Sequence, residues 1–203
     1  MPPGGFVPDL DKWDAWRPED AQRLLAGVEA PWCFAAGWAI DLFLGGQRRE
    51  HEDLELAVPA DRFGEIADAL AGYELFVVGS GHGWPLADAG EALDTYWQTW
   101  VLDPVADVWR LDVFRDQSDG DTWICRRDDS IRMPYSRLIE WTADGIPYQR
   151  PEVVLLFKAK HARPRDDGDL DAALPLLEPE RRRWLADALE LVHPRHRWLD
   201  RLR

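Results

Sequence analysis

Two carboxylates stand two residues apart in the run Asp53-Leu54-Glu55-Leu56-Ala57-Val58. Leu54, Leu56 and Val58 alternate with Asp53, Glu55 and Ala57, and this period of two predicts a strand. Asp53 and Glu55 then leave one face while the leucines enter the core. Like charges side by side repel, so the pair is costly without a cation or water between them. Mg2+ takes oxygen ligands and is held by one or two carboxylates together with substrate phosphates. A third carboxylate on a neighbouring strand would complete a two-metal clamp. Asp112 is the candidate, because it interrupts the alternation Trp109, Leu111, Val113 and so leaves the opposite face from those side chains. The acidic-x-acidic pattern alone also describes an ordinary solvated strand face.

Upstream, Gly37-Trp38 falls between a short strand-like run, 32–35, and a helix-like run, 37–44. Glycine at such a turn lets the backbone approach a phosphate, and a helix start offers N–H groups to an anion. The lysines are Lys12, Lys158 and Lys160, so two of them fall within one tripeptide. Residues two apart on a helix point in different directions. One lysine at most reaches a shared ligand, and Lys158 is preferred; solvated helix lysines are the competing reading.

Around these groups the pattern predicts a mixed order of elements. Helices are expected over 18–28 and 61–71, and strands over 53–58, 73–78, 96–102, 108–114 and 122–125. Residues 1–8 read as a loose tail, and 82–92, with Gly and Pro, as a mobile loop. A hairpin is expected over 139–148, broken at Asp144-Gly145. Beyond Pro151 the runs 152–161, 170–177 and 181–191 are all helix-like. The expected architecture is α+β: a mixed sheet flanked by helices over 1–148, and a helical C-terminal subdomain over 149–203.

With 203 residues and 46% hydrophobic side chains, the chain can bury a sizeable core. Its formal net charge of −14 disfavours a nucleic-acid partner and suits a cationic small molecule. Cys33 and Cys125 form neither a disulfide framework nor a zinc spacing. No signal peptide or bilayer-length apolar run is visible, so a cytoplasmic location is expected. No GxGxxG pattern supports a dinucleotide oxidoreductase.

The stretch Gly37-Trp38-Ala39-Ile40-Asp41, with Gly45, Arg49, His51 and Asp53-Leu54-Glu55, resembles the polymerase-beta-like nucleotidyltransferase superfamily. The resemblance is nearest to the small antibiotic nucleotidyltransferases acting on aminoglycosides and lincosamides. The run from Arg150 to His161, followed by Arg163-Pro164-Arg165-Asp166, is similar to that family's helical segment. Together the motifs span residues 32 to 178. The chain departs from the family pattern at Ala36, where glycine is usual, and at Glu55, where aspartate is commoner.

The resemblance implies that ATP, or another nucleoside triphosphate, binds with Mg2+. A substrate hydroxyl attacks the α-phosphate and pyrophosphate leaves. Asp53, Glu55 and Asp112 would hold metal, with Asp112 as ligand or catalytic base. Gly37, Trp38, Arg49, His51, Lys158 and Lys160 would contact nucleotide. His51 is in phase with the carboxylates if the strand begins that early, and a structural histidine is the competing reading. Trp84, Tyr96, Trp97 and Trp100 could form an aromatic wall for the acceptor, or core. The expected partners are a nucleotide and a small acceptor, with no membrane, and the chain as monomer or homodimer. Two other functions remain open: a nucleotidyltransferase that modifies a protein or a tRNA, as in toxin–antitoxin systems, and an inactive descendant that binds nucleotide or a protein partner.

Overall fold

The computed structural model describes Pro2 and residues 4–203; Met1 and Pro3, part of the expected loose tail, lie outside the described residues. In chain order the first half holds α1 (Pro18–Leu24), β1 (Cys33–Phe34), α2 (Ala36–Phe43), β2 (Glu55–Pro59), α3 (Phe63–Ala69), β3 (Glu74–Gly79), β4 (His82–Pro85), α4 (Glu91–Thr95) and β5 (Gln98–Asp103). Then come β6 (Val108–Asp116), β7 (Ser118–Asp119), β8 (Thr122–Ile124), β9 (Arg132–Pro134), α5 (Tyr135–Leu138), β10 (Ile139–Trp141) and β11 (Pro147–Gln149). The chain closes with α6 (Pro151–Lys158), α7 (Pro164–Ala173), α8 (Pro179–Val192) and α9 (Leu199–Leu202). Among the described residues no helix is long and apolar enough to cross a membrane.

Contacts divide the chain into two compact units, one made of the chain up to Trp32 with His51–Asp116, the other of Cys33–Glu50 with Gln117–Arg203. In the first, β2 pairs in parallel with β6, and β6–β5, β5–β3 and β3–β4 pair antiparallel. Leu54, Leu56, Val58, Leu111 and Val113 are fully buried, as the alternation requires. The residues 82–92, expected as a loop, instead form β4, a 3-10 turn over Leu86–Asp88 and α4. The reason is the two-residue turn Ser80-Gly81, where both residues have positive φ, 51° and 78°. That is the geometry of a tight twisted hairpin, and it sets Gly79 opposite His82. A Cβ at Gly79 would overlap the Tyr96 ring, which stacks on Trp84. Trp84 and Tyr96 thus pack with Val77, Ala89 and Ala92 as core, not as an acceptor wall.

In the second unit β11 pairs in parallel with β1 and antiparallel with β10, so the expected hairpin over 139–148 forms. A small antiparallel sheet, β7–β8–β9, adds a strand, β9, that carries too short an apolar run to be read from sequence. The core joins Ile40 of α2, Trp123, Cys125, Val153–Leu156 of α6, Leu170, Leu185, Leu189 and Trp198. Parallel and antiparallel pairing with flanking helices is the α+β class expected. The contacts do not divide at 148/149, because α2 packs on α6, α7 and β11. The apolar stripe of α2 thus belongs with the C-terminal helices.

Candidate functional site

In the first unit, Glu55 opens β2 and is the register partner of Asp112 in β6. The Asp112 N–H donates to the Leu54 carbonyl at 2.9 Å, which fixes this register. Paired residues on neighbouring strands send their side chains to the same face, so both carboxylates emerge together. Asp112 is only 4% exposed. Its Oδ2 accepts a hydrogen bond from Gln98 Nε2 at 2.6 Å, and Trp100 lies directly across the strand pair from it. Trp100 meets Trp13 and Trp109 edge-on. Asp53 is half-buried and stands just before β2, two residues from Glu55.

The strand begins later than its alternation predicts. His51 therefore precedes β2, and its supposed strand phase with Asp53 and Glu55 has no pleat to enforce it. Among the described residues no group of three or more His, Cys, Asp or Glu side chains forms a ready metal cluster. Glu55 and Asp112 come together as a pair on one face, and Asp53 flanks them in sequence. This all-oxygen donor set fits Mg2+, which keeps several waters and completes its shell with substrate phosphates rather than with a protein cage. Asp53, Glu55 and Asp112 are the residues that would hold it.

In the second unit, the chain passes from β1 into α2 through Ala35, which is extended, and Ala36, whose φ is +47°. A left-handed backbone at alanine costs roughly 1–2 kcal/mol, because Cβ crowds the following carbonyl. Gly37 and Trp38 occupy the first turn of α2 and are buried. Among the described residues no side chain caps this helix start. First-turn N–H groups lack intrahelical acceptors, and the helix dipole adds positive potential there. Behind the helix, buried Asp41 accepts a hydrogen bond from the Arg48 N–H at 3.0 Å. That contact pins the segment that carries Arg49.

Lys158 ends α6 and is largely buried, with Nζ 2.9 Å from Asp169 Oδ2 and 3.6 Å from Asp166 Oδ1. Arg49 Nη2 lies 3.7 Å from Asp169 Oδ2. The structure thus gathers Arg49 and Lys158, while Lys160 is exposed in the turn beyond the helix. Burial pushes the Asp166 carboxyl up. Hydrogen bonds from the Arg163 side chain and backbone, with the Lys158 charge, outweigh that and hold it below its ordinary value.

The model of the aminoglycoside-2''-adenylyltransferase family matches residues 20–80, a segment that contains both the Gly37 turn and the Asp53–Glu55 carboxylates. The lincosamide antibiotic adenylyltransferase LnuA, solved with lincomycin bound, is similar at 17% identity and a TM-score of 0.51, over 76% of this chain and 92% of that one. The antibiotic-resistance factor ANT(2'')-Ia in solution gives 16% identity and a TM-score of 0.55, over 85% and 89% of the two chains. Its crystal structure with adenylyl-2''-tobramycin gives 16% identity and 0.55, over 85% and 95%. No curated protein sequence matches the chain. The chain has the antibiotic-adenylyltransferase fold. The superfamily resemblance of residues 37–55 is thereby borne out, as is the α+β class.

Within this adenylyltransferase fold, three residues to which sequence reasoning gave no role now stand beside the candidates: Gln98, Asp166 and Asp169. Gln98 was visible only as a polar residue in phase with Trp100 on β5. Asp166 and Asp169 had one local signal, since Asp166 in the first turn of α7 accepts a hydrogen bond from the Arg163 N–H at 2.9 Å. Their link to Lys158 and Arg49 is long-range and left no mark in the spacing.

Proposed function

We propose that this chain is a Mg2+-dependent nucleotidyltransferase that moves AMP from ATP to a hydroxyl of an aminoglycoside or lincosamide and releases pyrophosphate. The observation that carries this reading is the register pair of Glu55 and Asp112 on one sheet face, in a chain whose residues 20–80 match an adenylyltransferase family model. Neighbours of the same fold are adenylyltransferases solved with lincomycin and with an adenylylated tobramycin. The net charge of −14 attracts a cationic acceptor.

Bound Mg2+ would polarise the α-phosphate and offset the charge that develops in transfer. Asp53, Glu55 and Asp112 would hold the ion. Gln98 fixes the rotation of the Asp112 carboxylate by donating to Oδ2, and Oδ1 accepts the proton of the attacking hydroxyl. That hydroxyl oxygen bonds to the α-phosphorus as the bond to pyrophosphate breaks. Backbone N–H groups at Gly37 and Trp38, with Lys158 and Arg49, bind the triphosphate oxygens. These residues act by positioning and by electrostatics.

The test is incubation with α-labelled ATP, Mg2+ and a panel of aminoglycosides and lincosamides. Label on an antibiotic with stoichiometric pyrophosphate is the expected result. Label on a protein or tRNA instead would move the reading to a macromolecular acceptor. ATP binding without transfer to any acceptor would make the chain an inactive descendant.

A further inference from the structure

Arg49 and Lys158 are far apart in sequence, yet both reach the same atom, Oδ2 of Asp169, at 3.7 and 2.9 Å. Asp169 is 2% exposed, Lys158 10% and Arg49 29%, so exposure rises outward from the carboxylate to the two cations. Asp166, fully buried, supports the same lysine at 3.6 Å and is itself held by Arg163 at 3.0 Å. Arg163 is half exposed, so the inner part of the group sets two carboxylates against Lys158 and Arg49. Lys158 and Arg49 are both more exposed than the carboxylate they share, so an anion approaching from solvent meets the cations first.

We propose that Asp169 is a positioning residue for the nucleotide's phosphates: it holds Lys158 and Arg49 together as one phosphate-binding pair. This rests on the nucleotidyltransferase reading above. Without a shared counter-charge, two like-charged long side chains would separate and lose the preorganisation that makes them one subsite. Asp166 gives Lys158 a second buried carboxylate at 3.6 Å, and the Asp41 contact to the Arg48 N–H anchors the segment that carries Arg49. Pyrophosphate, the leaving group, presents the same chemistry to the pair.

Two opposed expectations make the idea testable with the full chain. A carboxylate that merely screens the cations would, on removal, strengthen phosphate binding. A positioning carboxylate would, on removal, weaken it. Calorimetry with a non-hydrolysable ATP analogue, inorganic pyrophosphate and adenosine, each with Mg2+, on wild type and Asp169→Asn separates them. The expected result is a roughly tenfold to hundredfold loss of pyrophosphate and analogue affinity, with adenosine binding unchanged. In turnover assays KM for ATP should rise by more than kcat falls. Pyrophosphate binding at or above wild-type strength in the variant overturns the proposal and leaves the nucleotidyltransferase reading intact. Failure of the wild type to bind the analogue overturns both. If Asp169→Asn does not fold, a cycle over Lys158→Gln and Arg49→Gln decides instead. A double-variant loss well short of the product of the single losses is expected, and independent losses overturn the proposal.

Discussion

At the scale of the residue, Ala36 is the most informative position in the turn between β1 and α2. Its φ of +47° places an alanine where a left-handed backbone is required. Replacement by glycine removes a strain of roughly 1–2 kcal/mol and costs up to about 1 kcal/mol in added freedom of the unfolded chain. Ala36→Gly is therefore expected to raise stability by up to about 1 kcal/mol in urea unfolding. The turn itself was legible, because strand, glycine and helix follow one another within a few residues. The left-handed backbone was not legible from the alanine itself; the only pointer was that the resembled family usually has glycine there. The carboxylates were legible from the alternation of Leu54, Leu56 and Leu111 with acids. Their register was not, because it depends on which strand lies beside β2.

At the scale of the element, buried charges tie the helices of the second unit together. Glu152 in the first turn of α6 is 1% exposed, and its Oε2 accepts from Arg181 Nε and Nη2 of α8 at 2.9 and 2.7 Å. Arg150 Nε approaches its other oxygen at 2.9 Å. Arg181→Leu strips one partner from a buried charge and should cost about 3–5 kcal/mol in chemical unfolding. At α7, the lowered pKa of Asp166 sets a pH dependence. Its contribution to stability is present in full above the unfolded value of about 3.9 and is lost as pH falls through the lower folded value. Urea melts should therefore show the gap between wild type and Asp166→Asn narrowing below about pH 4. The helices of this region were legible from their apolar stripes. The hairpin at Ser80-Gly81 was not, because the Gly and Pro of 82–92 read as a loop and hid the strand that follows the turn.

At the scale of the whole molecule, α2 groups with the C-terminal helices although it precedes the carboxylate strand by only a short segment. A boundary drawn along the chain at 148/149 could not express that, since composition changes there but contacts do not. The charge of −14, by contrast, is readable at once and predicts a salt effect. Salt screens long-range attraction over about 8 Å at physiological strength, so KM for a cationic aminoglycoside should rise with added NaCl while kcat changes less. The central claim is that the carboxylates at Glu55 and Asp112 perform metal-dependent adenylyl transfer. Its most direct measurement is Mg2+-dependent AMP transfer by wild type, Glu55→Gln and Asp112→Asn, with melting curves for each. The account predicts at least about a hundredfold loss of turnover in both variants with the fold retained; wild-type turnover in either folded variant would contradict it.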